Sequence, residues 1–337
     1  MPQLITMRAA ISTLALSAAF VIALECTGWV QAQTQMRERV PVPEAANIKY
    51  GVNGHDGRDE YPLSNAEARF AWMQKSNLQV YRLDVGTNGS GVLDALVPLG
   101  RKYGVTIRPM LYPGTQGATY TLAKRYANDI KVWEIGNEQD APREGAQQRI
   151  NQMMQSYRGV QQAESELHAG LQTSINIMTC NPNGASQCQG DVNGDLWFLD
   201  MAWNAGFKFN YVTFHYQAHL RDKGYWMDLY FGQMRTAAQK YRVPIFLNET
   251  HCGEIFDGST DGGHPGDGGC YDSLNQTLTE VATKYADIIR EVTVYEMLDE
   301  PRSASGVESH FGVMYALGQP KQTAALLASF ATRTPRP

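Results

Sequence analysis

Two glutamates, Glu138 and Glu249, each stand at the end of an apolar, β-prone segment of the sequence. The first ends the stretch VWEIGNE, where Asn137 precedes it, and the second ends the stretch PIFLNE. Two carboxylates that face each other across the width of a sugar can cleave a glycosidic bond, one as acid and base and the other as nucleophile. A lone glutamate at a strand end is usually a solvated surface residue. The interpretation therefore depends on whether the fold brings these two together.

Eight segments of β-type composition alternate with amphipathic segments along the chain. The strand candidates are NIKYGVN, LQVYRLDV, VTIRPMLY, IKVWEIGN, LQTSINIM, NYVTFHY, VPIFLNET and VTVYEML. Helical patterns lie between them, as in SNAEARFAWMQKSN, where Ser64 and Glu67 fit a capping box. The alternation predicts a single (β/α)₈ TIM barrel over residues 47–337. An open doubly wound sheet would share the alternation, but no glycine-rich phosphate loop follows the first strand.

The active site of such a barrel lies where the carboxyl ends of the strands meet. Glu138 ends the fourth strand and Glu249 the seventh, so we expect them to face each other across the mouth, with carboxyl groups about 5–5.5 Å apart. Other polar residues at the strand ends are predicted to bind substrate: Asn53, His55, Arg82, Asn137, His215, Tyr216 and Glu296.

Arg82 is expected to hydrogen-bond Glu249 and keep it ionised, together with polar groups of the sixth strand. A structural ion pair between Arg82 and Asp84 is the alternative. Glu138 is expected to have the raised pKa of a general acid. His215 could also be a core histidine rather than a site residue.

The stretch WEIGNE, combined with the distant Glu249, resembles the retaining glycoside hydrolases of clan A, which include family 5 cellulases, family 39 xylosidases and iduronidases, and family 51 arabinofuranosidases. The stretches VYEMLDEP and HFGVMYALGQPKQTAA are most similar to the family 39 type and related exopolysaccharide hydrolases. The resemblance implies that Glu138 is the acid/base, that Glu249 is the nucleophile and that Asn137 holds the sugar 2-hydroxyl.

The sequence departs from that clan at two strand ends. Many members have His-x-Tyr at the end of the sixth strand, whereas here Tyr216 follows His215 directly, which leaves open which of them reaches Glu249. Many members also have a tryptophan platform at the end of the eighth strand, where this chain has Tyr295 and Glu296. Glu296 is interpreted as a substrate ligand, with a rival nucleophile and a structural carboxylate as alternatives.

The amino terminus has the pattern of a secretory signal peptide. Arg8 precedes the apolar run Ala9 to Leu24, and small residues at Val30 and Ala32 suit cleavage after residue 32. A membrane helix is the alternative, but the run is short for spanning. Residues 33–46 would then form an extension, and the mature protein would be secreted or periplasmic. With a formal net charge of −5 and no basic stripe, nucleic acid is not an expected partner; we expect a monomer that acts on a polysaccharide or oligosaccharide.

Four cysteines follow the leader, and an even number in an exported chain predicts two disulfides. Of the three possible connectivities, we choose the local pairing Cys180–Cys188 and Cys252–Cys270. Zinc is the alternative, but the chain has no matching C-x-x-C spacing. The glycine-rich segment between the last two cysteines could bind calcium through Asp257, Asp261 and Asp267, although these residues also form ordinary turns. We predict no metal and no cofactor.

Four aromatic residues are candidate surfaces for stacking sugars: Trp197, Trp203, Tyr225 and Trp226. The two in DLWFLDMAW also have the helical spacing of core residues. Two further functions compete with hydrolysis: a transglycosylase that uses the same pair, and a catalytically silent carbohydrate-binding barrel. The second is disfavoured, because binding alone needs no opposed carboxylates. A metal-dependent barrel hydrolase is disfavoured by the lack of a His-x-His at the end of the first strand.

Overall fold

The computed structural model describes residues 48–86, 89–180, 193–259 and 263–332. The predicted signal peptide, the extension at residues 33–46, Cys188 and Asp261 lie outside these ranges, so the expectations that concern them remain predictions. None of the helices in the described ranges is long and apolar enough to cross a membrane.

Eight parallel strands close into a barrel in which each strand pairs with the next and β8 returns to β1. The strands are β1 (Lys49–Gly54), β2 (Val80–Val85), β3 (Thr106–Leu111), β4 (Val132–Ile135), β5 (Gln172–Met178), β6 (Tyr211–Ala218), β7 (Ile245–Cys252) and β8 (Ile289–Val294). The predicted (β/α)₈ barrel is confirmed, and the open-sheet alternative is excluded by the pairing of β1 with β8.

Eight α-helices of the described ranges surround the strands. They are α1 (Ala66–Lys75), α2 (Ser90–Tyr103), α3 (Gln116–Arg125), α4 (Ala146–Leu167), α5 (Leu196–Asn204), α6 (Tyr225–Tyr241), α7 (Cys270–Lys284) and α8 (Gln322–Ala331). A two-stranded antiparallel pair, β9 (Met314–Ala316) and β10 (Gln319–Pro320), lies between β8 and α8.

The alternation of side chains along each strand decides what enters the barrel. In β2, the Tyr81 ring packs outward against Phe70 of α1, with ring centroids 5.2 Å apart. Its neighbour Arg82 points inward and reaches Glu134 of β4 across the interior. Successive residues of a strand face opposite sides, so Tyr81, Leu83 and Val85 form the strand–helix layer, while Arg82 and Asp84 lie on the side of the barrel interior.

A second buried ion pair lies toward the amino ends of the strands. Arg108 donates to Glu291 from Nε at 3.0 Å and from Nη2 at 2.6 Å. Glu291 is in register with Lys49, the first residue of β1, and Arg108 also reaches the carbonyl of Val132, the first residue of β4. Each charge is compensated by its partner, as a buried charge must be, and the pair lies apart from the mouth.

Two local predictions differ from the structure. The eighth strand begins earlier than predicted and ends at Val294, so that Tyr295 lies in the segment after it. The capping box does not form, because residues 63–65 make a 3₁₀ turn and α1 begins only at Ala66. Glu67 instead accepts hydrogen bonds from Lys102 and Tyr103 of α2.

Candidate active site

Glu138 is positioned by a sharp turn at the end of β4. Gly136 has a φ of 81° and Glu138 a φ of 49°, so the chain leaves the strand at once. The Glu138 N–H donates to the side-chain oxygen of Asn176 on β5 at 2.7 Å. Asp140 then accepts a hydrogen bond from the N–H of Met178 at 2.9 Å. Both contacts fix the turn to β5, and they leave the Glu138 side chain 40% exposed at the mouth.

Glu249 is positioned by an irregularity in β7. Phe214 is in register with Leu247, but the next residue, His215, is in register with Glu249. Asn248 is therefore an extra residue in β7, and a bulge of this kind redirects the side chains around it. The Asn248 amide donates to the buried Glu134, while the Glu249 carboxylate meets Arg82 and His215. Two consecutive residues thus both point into the barrel.

The two predicted catalytic glutamates converge on one imidazole. His215 Nδ1 lies 2.8 Å from Glu138 Oε1 and 3.3 Å from Glu249 Oε2. One oxygen of each carboxylate and this nitrogen all lie within 4.8 Å of one another. His215 is therefore the member of the His-Tyr pair that reaches Glu249. Both carboxylates lie at the same mouth of the barrel.

Arg82 links the nucleophile candidate to a third carboxylate. Its Nη1 donates to Glu249 at 2.5 Å, and its Nε and Nη2 donate to Glu134 at 3.1 and 2.8 Å. Nη2 also donates to the side-chain oxygen of Asn137 at 3.0 Å. The expected contact between Arg82 and Glu249 is present. Its closest acidic partners are Glu134 and Glu249, whereas Asp84 accepts a hydrogen bond from Tyr112 at 2.9 Å.

The electrostatics of the pair differ from the expectation in one respect. Burial alone lowers the pKa of His215, but Glu249 and Glu138 outweigh it and the pKa is raised. Burial alone raises the pKa of Glu138, but the hydrogen bond and charge of His215, with a smaller effect of Arg82, leave that pKa below its usual value. The raised pKa expected for Glu138 as a general acid is therefore not found, because the hydrogen bond and charge of His215 outweigh the effect of burial.

Tyr216 does not lie beside the carboxylates. Its hydroxyl donates to Asp222 at 3.1 Å, and its ring packs against Tyr230 and Phe231 of α6. As the neighbour of His215 on one strand, it must point to the opposite face. The prediction that Tyr216 binds substrate is thus not supported by its position in the strand–helix layer.

A second charged cluster lies between the ends of β1 and β8. His55 Nδ1 is 2.7 Å from Glu300 Oε1 and 3.1 Å from Glu296 Oε2. Tyr61 donates to Glu296 at 2.9 Å, and Arg58 pairs with Glu300. Both glutamates are almost completely buried. Of the three interpretations of Glu296, a substrate ligand, a rival nucleophile and a structural carboxylate, its position therefore favours the structural carboxylate.

The donor set of this cluster, one imidazole and two carboxylates within 4.8 Å, has the composition of a divalent-cation site. Burial alone lowers the pKa of His55, but hydrogen bonds to Glu296 and Glu300 raise it to about 10. The two glutamates are thus paired with side chains of the cluster itself, His55 and Arg58.

Asn53 is also buried, and its amide donates to the carbonyl of Asn248 at 3.0 Å. This bond connects β1 to the irregular part of β7. Asn53 and His55 were both predicted to face sugar hydroxyls at the rim. The structure instead places them beneath the mouth, where Asn53 contacts β7, which carries Glu249, and His55 contacts Glu296 in the segment after β8.

The segment after β7 is closed by the predicted disulfide Cys252–Cys270, which is present. Within this loop, Asp267 accepts the N–H groups of His264 and Gly269 at 2.6 and 2.8 Å. These are the hydrogen bonds of a turn-forming aspartate.

Two candidate stacking residues have clear locations. The Trp203 ring packs against Phe209 and Tyr241, with centroids 5.0 and 5.3 Å away, so it belongs to the core. Tyr225 begins α6, directly after the segment that follows β6, and is strongly exposed.

The sequence analysis assigned no role to several residues that the structure places in the site. Glu134 and Asn248 bind the Arg82 network, and Asn176 holds the backbone of Glu138. Their common signal is a polar residue inside an otherwise apolar strand segment, as in VWEI, IFLNE and SINIM. Glu300 and Tyr61 gave no such signal, because both lie in connecting segments.

The sequence matches no protein-family model, and a search of curated proteins gives no match. Solved structures with the same fold include a family 39 glycoside hydrolase from the gut symbiont Bacteroides cellulosilyticus WH2, with a TM-score of 0.60 and 14% identity over 85% of this chain and 64% of that chain. This chain therefore spans less than two thirds of that protein.

A family 1 β-glucosidase from Thermotoga maritima has a TM-score of 0.63 and 12% identity over 86% of this chain and 98% of that chain. CJP38, a β-1,3-glucanase and allergen of Cryptomeria japonica pollen, has a TM-score of 0.54 and 15% identity over 82% of this chain and 97% of that chain. At these identities the similarity establishes the fold.

Proposed function

We propose that this protein is a retaining glycoside hydrolase that cleaves O-glycosidic bonds of an oligosaccharide or polysaccharide by double displacement. One observation carries the proposal: oxygens of Glu138 and Glu249 lie within 4.8 Å of each other at the carboxyl ends of β4 and β7. Retaining enzymes have carboxyl groups about 5–5.5 Å apart, whereas inverting enzymes need about 6.5–9.5 Å to admit a water. The glycosidases among the structures that share the fold support the same activity.

The surroundings of the two carboxylates support different roles for them. Glu249 accepts a charged hydrogen bond from Arg82 and is 18% exposed, which suits a carboxylate that must stay ionised to attack a carbon atom. Glu138 is 40% exposed and has no contact with the Arg82 guanidinium among those described, which suits a group that must reach a departing oxygen.

The proton for the leaving group comes from a unit of two residues. Glu138 and His215 are joined by a 2.8 Å hydrogen bond. In the proposed mechanism they share one proton, which is on the imidazole before the reaction. Transfer of this proton from Nδ1 to Glu138 gives a neutral carboxylic acid beside a neutral ring, with no change in total charge. The unit titrates as a pair, so the alkaline limb of the activity profile reports on both residues.

In the first step, a Glu249 oxygen attacks the anomeric carbon and the glycosidic C–O bond breaks. The oxygen of the leaving group takes the proton from Glu138. In the second step, Glu138 accepts a proton from water as that water attacks the same carbon, and the bond to Glu249 breaks. The sugar is released with its original anomeric configuration. The enzyme regains its starting protonation.

Asn137 is oriented to bind the sugar during both steps. Its side-chain oxygen accepts a hydrogen bond from Arg82, so its NH₂ group is the end left for substrate. A donor beside the nucleophile suits the sugar 2-hydroxyl, whose hydrogen bonds strengthen in the transition state.

The proposed enzyme acts outside the cytoplasm. The predicted signal peptide directs export, and a disulfide such as Cys252–Cys270 persists in an oxidising compartment. Detection of the mature protein in periplasmic or culture fractions, with its amino terminus at residue 33, tests this proposal.

The variants E138A and E249A test the mechanism. E138A should slow substrates with poor leaving groups far more than activated aryl glycosides, and azide should restore turnover with a glycosyl azide of retained configuration. E249A should lose both substrate types, and azide should give the inverted product. Exchanged behaviour of the two variants would exchange the roles.

The wild-type enzyme and E249Q are compared on a panel of β-linked polysaccharides. If the wild type is as inactive on every substrate as E138A and E249A, the hydrolase proposal fails and the carbohydrate-binding alternative replaces it. Analysis of the products in the presence of added acceptor sugars separates hydrolysis from transglycosylation.

A further inference from the structure

We propose that Phe256 is a stacking platform for a sugar ring beyond the cleavage point, and that the mouth accommodates a chain of several pyranose units rather than a single terminal sugar. The inference rests on the proposed function and specifies its substrate. Phe256 lies in the short 3₁₀ turn directly after β7, seven positions beyond the nucleophile.

The first observation is where the exposed aromatic residues lie. Among the described residues, four large aromatic side chains are strongly exposed, and each follows a barrel strand at its carboxyl end. They are Tyr112 after β3, Tyr225 after β6, Phe256 after β7 and Tyr315 after β8. Connections of this kind surround the mouth of a (β/α)₈ barrel, so the exposed rings share the face that carries Glu138 and Glu249.

Single exposed apolar residues are ordinary and need no explanation. The opposite face provides the comparison. Of the large hydrophobic residues that are strongly exposed in the described ranges, only Leu167 lies at the carboxyl end of a helix, on the face away from the mouth. The aromatic residues are therefore not spread evenly over the surface.

A row of rings runs from Phe256 through Phe311 and Tyr295 to His55. The Phe256 centroid lies 6.0 Å from that of Phe311, which lies 5.7 Å from that of Tyr295. Tyr295 in turn is 5.3 Å from His55. The N–H of Tyr295 donates to the carbonyl of Thr250 at 3.0 Å, so the row adjoins the residue that follows Glu249 on β7.

Phe256 is the exposed end of this row. It is two ring contacts, of 6.0 and 5.7 Å, from Tyr295. Phe311 is buried and supports the row from below, whereas Phe256 is 48% exposed and offers a face to solvent. A ring held in this way can stack on the C–H face of a pyranose, as an aromatic surface does on other flat apolar faces.

The loop holds Phe256 in a fixed place. Cys252 and Cys270 close its ends, and Ile255 and both cysteines form a small buried cluster with Phe311. A Glu254 oxygen accepts the N–H of Leu220 at 2.7 Å, which joins the loop to the segment after β6. An exposed ring on an anchored loop loses little conformational freedom on binding, which favours a binding role.

The test compares F256A, F256W and L167A on an aryl monoglycoside and on oligosaccharides of two to six units from the polymer that the wild type cleaves. Wild-type kcat/KM should rise with chain length. F256A should reduce kcat/KM by about tenfold more for the longest oligosaccharide than for the aryl glycoside. F256W should restore the chain-length dependence, and L167A, on the opposite face, should behave as wild type on every substrate.

If the wild type is active, two outcomes would refute the proposed role of Phe256 without contradicting the proposed hydrolase function. One is an equal loss of kcat/KM by F256A on all substrates, which would indicate a structural role. The other is a wild-type kcat/KM that does not change with chain length. If the wild type cleaves nothing, affinity electrophoresis of E249Q and E249Q/F256A in soluble β-glucan, xylan and mannan decides. If a polysaccharide slows the migration of E249Q but not that of E249Q/F256A, the result supports the platform. Equal mobility of the two variants refutes it.

Discussion

Replacing the buried Glu134 by glutamine tests how the positive charge of Arg82 is shared between Glu134 and Glu249. Arg82 makes two hydrogen bonds to Glu134 and one to Glu249. The substitution keeps the shape of the side chain and removes its charge, so Arg82 loses one of its two carboxylate partners. Its positive charge then acts mainly on Glu249.

Two results are expected from E134Q. Removal of one partner from a buried ion pair costs about 3–5 kcal/mol, and the low end, about 3 kcal/mol, applies because Glu249 still compensates Arg82. For a domain of this size that corresponds to a decrease in Tm of roughly 6–9 °C. The acidic limb of the kcat/KM profile should move to lower pH, because the substitution removes a negative charge that shares Arg82 with Glu249.

The matched control is E291Q. Glu291 is equally buried and forms a two-hydrogen-bond pair with Arg108, but this pair lies toward the other end of the barrel. It should lose as much stability or more, with no change in the pH profile. Thermal unfolding and the pH dependence of aryl glycoside cleavage measure both effects. If the two variants gave the same acidic limb, Glu134 would not influence the nucleophile through Arg82.

Three further predictions follow from single contacts. The double variant C252S/C270S should lose about 3 kcal/mol of stability, and an unchanged unfolding midpoint in denaturant would show that the disulfide contributes nothing. The pKa of His55 is raised from 6.5 to about 10 in the folded state, so its stabilisation is complete below pH 6.5 and is lost as the pH rises toward 10. Tm should therefore fall over that range, less steeply in H55Q, and identical slopes in scanning fluorimetry would contradict this. Y216F removes the hydrogen bond to Asp222 and should cost about 1 kcal/mol while kcat/KM stays that of the wild type; a large loss of activity would place Tyr216 back in the site.

The barrel and its opposed glutamates were predictable because they depend on strand order. Alternating segments place the ends of the fourth and seventh strands across one mouth whatever the details of packing. The same logic brought Arg82 near Glu249. Strand alternation also required that only one of His215 and Tyr216 enter the barrel, although it did not say which one.

The remaining features depend on distances that a sequence pattern does not contain. Asn248 interrupts the register of β7 without a glycine or proline to signal it, so the inward direction of both Asn248 and Glu249 could not be foreseen. The partnership of Glu134 with Arg82 depends on the width of the closed barrel. The lowered pKa of Glu138 depends on a single 2.8 Å contact with His215.

The shared contacts of Arg82 and His215 have a consequence for the design of inhibitors. Three carboxylates, Glu134, Glu138 and Glu249, converge on one guanidinium and one imidazole. Even with the imidazole protonated, this group has a formal charge of −1, and deprotonation makes it −2. A cation in the sugar position would reduce that imbalance, as the oxocarbenium-like transition state does. Ring-shaped amines that mimic a sugar should therefore bind more tightly than neutral analogues of the same shape, and their advantage should grow as the imidazole loses its proton.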